Sequence, residues 1–166
     1  MNKYILSVLV ENHAGVLSKV TALFSRRGFN IHSLAVGVTC DESVSRITIE
    51  VNGDESVVEQ VSKQLNKLVD VIKIKTLRDS DSVRRGLVLV KVRTNSKNRS
   101  EIIQLTDIFR ANIVDVSQTT ITAELTGHDN KIEAFLDIME PFGIEEIVRT
   151  GMVALERGAN TLKIDK

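Results

Sequence analysis

A chain of 166 residues, 42% hydrophobic and 27% charged, is long enough for one domain or two small ones with real cores. Its 22 basic and 22 acidic side chains cancel, so charge gives it no reason to bind nucleic acid or an anionic membrane. The single cysteine, Cys40, excludes an intramolecular disulfide and a paired-thiol metal site.

The first predicted strand, Tyr4 to Val10, begins so early that no signal peptide is expected. No apolar run approaches membrane-spanning length, and the expected compartment is cytoplasmic. Val16, Leu17, Val20, Leu23 and Phe24 then recur at helical spacing and form one apolar face. Gly28 stops this helix, and Arg26 and Arg27 sit at the negative end of its dipole. Leu34, Val36 and Val38 alternate, as do Ile47, Ile49 and Val51, with a hairpin turn at Cys40 to Ser43. A second helix carries Val57, Val58, Val61, Leu65 and Leu68 after Asp54, a suitable N-cap. A strand over 71–77 closes the unit, with Ile72 and Ile74 expected on one face.

The polar stretch from Arg78 starts the expected linker, 78–86, and the same order of elements then repeats. Strands are predicted at 87–92, 113–116, 121–125 and 144–149. Ile102, Leu105 and Phe109 mark one intervening helix; Ile132, Phe135, Leu136 and Met139 mark the other, ended by Pro141 and Gly143. The fold class is therefore α+β: two ferredoxin-like βαββαβ units, each a four-stranded antiparallel sheet with two helices on one face. The expected domains are 1–77 and 87–166. The uncovered face of each sheet must be polar or packed, so packing between the units is expected.

Function has to be argued from the strand-to-helix turn Glu11-Asn12-His13-Ala14-Gly15-Val16-Leu17. A helix start aims free N–H groups at whatever lies above it and favours a carboxylate or phosphate. Gly15 permits close approach, and Asn12 can cap the helix or donate its amide to an anion. For a free α-amino acid, the carboxylate suits the N–H groups of Ala14, Gly15, Val16 and Leu17. The ammonium suits the Asn30 side chain or the carbonyls near Asn30 and Ile31, and Val16 and Leu17 offer an apolar wall to a branched aliphatic side chain. The competing reading is that Asn12 only caps the helix and Gly15 only eases a tight turn.

Glu11-Asn12-x-x-Gly15-Val16-Leu17 and Arg27-Gly28-Phe29-Asn30-Ile31 resemble the effector site of ACT domains, regulatory modules that bind amino acids. Ser45-Arg46-Ile47-Thr48 and Gln64-Leu65-Asn66-Lys67-Leu68-Val69-Asp70-Val71 continue the likeness. Leu89-Val90-Lys91-Val92, Phe109-Arg110-Ala111, Val114-Asp115-Val116, Arg149-Thr150-Gly151 and Arg157-Gly158 extend it through the C-terminal half. Together they resemble the small regulatory subunits of acetolactate synthase, from about Lys3 to about Gly158. Ala14 departs from the usual proline or serine of such turns, and Gly86 from a usual charged residue; neither removes a donor.

The resemblance implies a subunit without chemistry of its own and an effector site at Asn12, His13, Ala14, Gly15, Val16, Leu17, Asn30 and Ile31. It implies a homodimer through ACT domains, with sheets side by side and effector held between the turn of one chain and the second strand of its neighbour. It implies no cofactor in this chain and a partner catalytic subunit that uses thiamine diphosphate, Mg²⁺ and FAD. That partner would be activated by this subunit and feedback-inhibited by valine, in branched-chain amino-acid biosynthesis.

Other readings fare worse on the residues themselves. His13, His32 and His128 form no local metal-ligand pattern; His13 reads as an effector contact or a solvated loop residue, and His32 as a strand residue hydrogen-bonded at a sheet face. The pairs Asp41-Glu42, Asp54-Glu55 and Glu145-Glu146 read as solvated turns or edges rather than acid–base machinery. An RNA-binding sheet needs stacking aromatics and a basic surface, and this chain has 4% aromatic residues. Arg84-Arg85 and Lys97-Asn98-Arg99 read as solvated or as contacts for a partner. The rival that remains is an ACT-type amino-acid sensor attached to another metabolic enzyme.

Overall fold

A computed structural model describes residues 2–164. The chain sorts into two units, residues 2–84 with 151–164, and residues 85–150.

In the first unit the order is β1 (Asn2–Glu11), α1 (Val16–Arg27), β2 (Ile31–Val38), β3 (Val44–Gly53), α2 (Glu55–Leu65) and β4 (Val71–Leu77). The strands form an antiparallel sheet in the order β2-β3-β1-β4. Alternation on β1 sends Leu6, Val8 and Val10 into a core shared with Val20, Leu23 and Phe24 of α1 and Val58, Val61 and Leu65 of α2. Both helix signals hold: the Asp54 carboxylate accepts from the Val57 N–H at 3.0 Å, and Gly28 ends α1 with φ 69°.

Two bulges revise the expected faces. Pairing slips between Leu9 and Val10 opposite β4, so Val71 and Ile74 pack on the core while Ile72 is 39% exposed. Pairing slips again between Ile31 and Ser33, which leaves His32 as the extra, exposed residue of β2 rather than one bonded at a sheet face. The bulge turns both Ile31 and Leu34 onto the core.

The boundary expected at 78–86 needs correction. β5 (Ser82–Arg93) already begins inside it, and Arg84 is buried, donating to the Leu77 carbonyl at 2.8 Å and the Ser82 hydroxyl at 3.0 Å. Arg84 is thus a structural cation and not a solvated one. The domain expected at 87–166 also ends early, because the chain returns to the first unit at Gly151. There β9 (Val153–Glu156) pairs with β5, whose residues 82–84 belong to this unit. Met152 and Ala154 pack on Ile5 and Leu77, so this strap covers the outer face of the first sheet. The cover expected from packing between units is supplied, for this sheet, by its own strap.

Gly151 shows how closely the strap is laid down. A Cβ there would stand 2.7 Å from the Leu34 carbonyl carbon and 2.8 Å from its oxygen, both backbone atoms that cannot swing aside. Gly151→Ala should therefore destabilise the first unit by about 2 kcal/mol or more. Gly37→Ala, where a Cβ meets nothing within 4 Å, is the control. Equal urea midpoints for the two variants would contradict the close packing.

The second unit repeats the pattern with the rest of β5, α3 (Arg99–Ile108), β6 (Asn112–Val116), β7 (Thr120–Gly127), α4 (Asp129–Met139) and β8 (Ile144–Arg149). Its strands run in the order β6-β7-β5-β8. Val88, Val90, Ile102, Ile121, Leu125, Phe135 and Met139 form its core. Arg99 is not simply solvated: its Nη2 donates to the carbonyls of Ser117 and Gln118 at 3.1 and 2.9 Å. Glu145 and Glu146 are paired with Arg93 and Lys91, as surface carboxylates are.

Candidate functional site

The turn between β1 and α1 is held by its neighbour, the β2–β3 hairpin. The Asn12 side chain donates from Nδ2 to the Glu42 carbonyl at 2.8 Å, and its Oδ1 accepts from Ser45 Oγ at 3.0 Å. The Asn12 N–H donates to the Ser43 carbonyl at 2.7 Å. Asn12 therefore does not cap the helix. The N-cap is Gly15, left-handed at φ 89°, with no side chain satisfying the first turn. A Cβ on Gly15 would meet nothing within 4 Å, so the space above the helix start is open.

Within that turn, the Val16 N–H makes only a long 3.4 Å bond to the His13 carbonyl, and the Lys19 N–H bonds the Gly15 carbonyl at 3.0 Å. The N–H groups of Leu17 and Ser18 take no backbone acceptor among the described residues. The expected apolar wall is only half present. Val16 is 3% exposed and its side chain belongs to the core, whereas Leu17 is 42% exposed and faces outwards.

His13 meets partners that no local spacing reveals. The Glu11 N–H bonds the Asp70 carbonyl at 2.9 Å, which brings the end of β1 to the start of β4. The ring's Nε2 lies 3.2 Å from Glu11 Oε2 and 3.0 Å from Asp70 Oδ1, and Lys19 Nζ reaches Asp70 Oδ2 at 2.7 Å. Nδ1 faces the Ala14 carbonyl at 3.1 Å; since a carbonyl only accepts, Nδ1 carries a proton. Ligand-type atoms of Glu11, His13 and Asp70 lie within 4.8 Å of one another, a cluster hidden in the sequence because Asp70 is distant along the chain.

The Ala14 carbonyl, then the carboxylates of Glu11 and Asp70, raise the His13 pKa above the ordinary histidine value. The Lys19 ammonium, with a smaller part from His13, lowers that of Asp70. A group whose pKa rises on folding contributes stability that is complete below its unfolded value and lost as pH climbs through the raised one. The His13 contribution thus fades on the alkaline side of 6.5, and that of Asp70 fades as pH falls below the ordinary carboxylate range. In an NMR titration His13 should titrate above 6.5, and Asp70→Asn should move it back down. An unmoved His13 titration in that variant would remove Asp70 from the account.

The expected site residues fall into two places. Residues 12–17 form the turn, while Asn30 and Ile31 lie past the far end of α1, whose 12 residues span about 18 Å. One chain does not bring the two groups together. Asn30 is exposed and Ile31 half-buried at the start of β2.

A ferredoxin-like sheet with an open, glycine-capped helix start after its first strand is the architecture of an ACT domain. Residues 6–73 match the family described as the AHAS small subunit-like ACT domain, and residues 85–158 match the small subunit of acetolactate synthase. The acetolactate synthase small subunit of Mycobacterium bovis is 54% identical over 153 residues, 92% of this chain and 91% of that one. The probable acetolactate synthase small subunit of Archaeoglobus fulgidus is 53% identical over 156 residues, 94% of this chain and 98% of that one. The crystal structure of the acetolactate synthase small subunit from Thermotoga maritima has a TM-score of 0.90 at 41% identity, covering 96% of this chain and 100% of that one. The chain belongs to the acetolactate synthase small-subunit family. Among the described residues, no helix is long and apolar enough to cross a membrane.

Proposed function

We propose that this chain is a non-catalytic regulatory subunit that activates an acetolactate synthase catalytic subunit and makes it sensitive to valine. The observation that carries the effector half of this reading is the uncapped, left-handed Gly15 turn, with open space above the N–H groups that follow it. A carboxylate there gains charge-assisted bonds of about 1.5–3 kcal/mol each. Leu17 offers the aliphatic side chain an apolar contact. Asn12 frames the turn through Glu42 and Ser45, and His13 through Glu11 and Asp70; the backbone of residues 14–17 does the binding.

The acceptors for the ammonium, at Asn30 and Ile31, come from a second copy. β2 is an edge of its sheet, and its Val36 and Val38 are 46% and 59% exposed. Pairing two β2 edges side by side buries these valines and sets the start of one β2 against the turn of the other chain. Effector and dimer then stabilise each other by linkage, by about 2.7 kcal/mol at a ligand concentration a hundredfold above Kd. The catalytic partner supplies thiamine diphosphate, Mg²⁺ and FAD; this chain supplies none of them. The expected compartment remains the cytoplasm.

Isothermal titration calorimetry tests the effector. Valine should bind saturably, with leucine and isoleucine within about 1–3 kcal/mol of it, because a pocket reads one methylene no more sharply. Preference for serine or phenylalanine would contradict valine as effector and favour the sensor of another enzyme. Asn12→Ala should weaken valine binding by about 1–3 kcal/mol through loosening of the turn, since both its side-chain bonds hold the hairpin. Unchanged affinity would show that the turn keeps its shape without them.

A further inference from the structure

The strap and the outer face of the first sheet enclose a cavity of about 590 Å³ that the effector reading does not use. All its lining residues belong to the first unit. Leu9, Val44 and Leu77 line its sheet side, and Ala154, Leu162 and Ile164 its strap side. Two polar groups stand out in this apolar setting. Ser7 is 1% exposed and points to this face, and its Oγ has no hydrogen-bond partner among the described residues. Arg46, beside Leu9 in the register, is half-buried and donates from Nη2 to the Leu162 carbonyl at 3.0 Å.

Arg46 has five N–H donors and no carboxylate within 4.0 Å among the described residues. The acids that border the cavity are already engaged. Glu156 pairs with Lys75 at 2.6 Å, and the Asp41 carboxylate accepts from Ser43 N and Oγ at 3.0 and 2.6 Å. Two cations border the cavity with no carboxylate within 4.0 Å among the described residues, the exposed Lys163 and the half-buried Arg46. Of the two, Arg46 offers the planar guanidinium whose geometry matches a carboxylate. The volume lies within the range of small-molecule sites, about 300–1,000 Å³.

We propose that this cavity binds an aliphatic monocarboxylate, with its head group on Arg46 and its chain over Leu9, Val44, Ala154 and Leu162. The Ser7 hydroxyl, which also lines the cavity and has no partner among the described residues, is a further donor to the ligand. The site is separate from the Gly15 turn and does not depend on valine binding there.

Cys40 gives a local readout, since it is exposed, borders the cavity and is the one cysteine of the chain. The rate at which a thiol reagent labels Cys40 is measured against octanoate, isovalerate and octylamine, alongside calorimetry on the full chain. Octanoate should bind saturably and slow labelling several-fold, while octylamine should not. Protection by isovalerate at lower concentration would assign the site to short branched acids; protection by octanoate at lower concentration assigns it to longer chains. Arg46→Gln should raise the half-protecting concentration at least about tenfold, the loss of a charge-assisted bond, and Arg46→Lys should recover part of it. Gly15→Asp should leave protection intact, which separates this site from the effector reading. Absence of both heat and protection would overturn the proposal. So would binding without protection of Cys40, equal protection by octylamine, or an Arg46→Gln variant that behaves as wild type.

Discussion

Gly15→Asp should abolish valine binding while the first unit stays folded. The substitution puts a carboxylate over the helix start, where the effector's own carboxylate is expected, and repels it. Loss of two charge-assisted bonds alone weakens binding by about a hundredfold or more. The fold survives for two reasons. A Cβ at Gly15 meets nothing within 4 Å, and a left-handed φ of 89° costs a non-glycine residue about 1–2 kcal/mol, with aspartate among the more tolerant. Calorimetry with valine, beside a thermal melt, reads both effects. A folded variant that still binds valine at wild-type affinity would remove the turn from the site.

The second large effect concerns the β2 edge. Val36→Lys combined with Val38→Lys should turn a dimer into monomers in sedimentation velocity, because two lysines block edge pairing. Both positions are already exposed within one chain, so the fold of the monomer is spared. Valine affinity should fall with the dimer, since in the proposed assembly residues 12–17 of one copy complete their site with Asn30 and Ile31 of the other. A monomeric variant with unchanged valine affinity would mean that one chain holds a complete site and that Asn30 and Ile31 play no part in it.

Much of this architecture is legible in the sequence because its signals are local. The stripe from Val16 to Phe24, the Asp54 cap, and Gly28 after two arginines each act within a turn or two, and each is found as expected save for Leu17, which leaves the stripe and faces outwards. What escapes the sequence depends on contacts between distant segments. The bulges at Leu9/Val10 and Ile31/Ser33 leave no mark in hydropathy, so the core-facing pair on β4 is Val71 and Ile74. Asn12 has the chemistry of a cap, but the hairpin at Glu42 and Ser45 takes up its amide. His13 meets Asp70 only because β4 lies beside β1. β9, only four residues long, declares itself once the outer sheet face is seen to need a cover. The family itself was legible, because its motifs are spread along both halves of the chain.

Reconstitution with an acetolactate synthase catalytic subunit tests the central claim most directly. The purified chain is added to a catalytic subunit loaded with thiamine diphosphate, Mg²⁺ and FAD, and acetolactate formation is followed with and without valine. Activity should rise to a plateau as the chain is titrated in, valine should reverse the rise, and the Gly15→Asp variant should activate without responding to valine. A catalytic subunit whose rate stays the same at saturating chain, or one that valine inhibits equally in the chain's absence, would contradict the regulatory role.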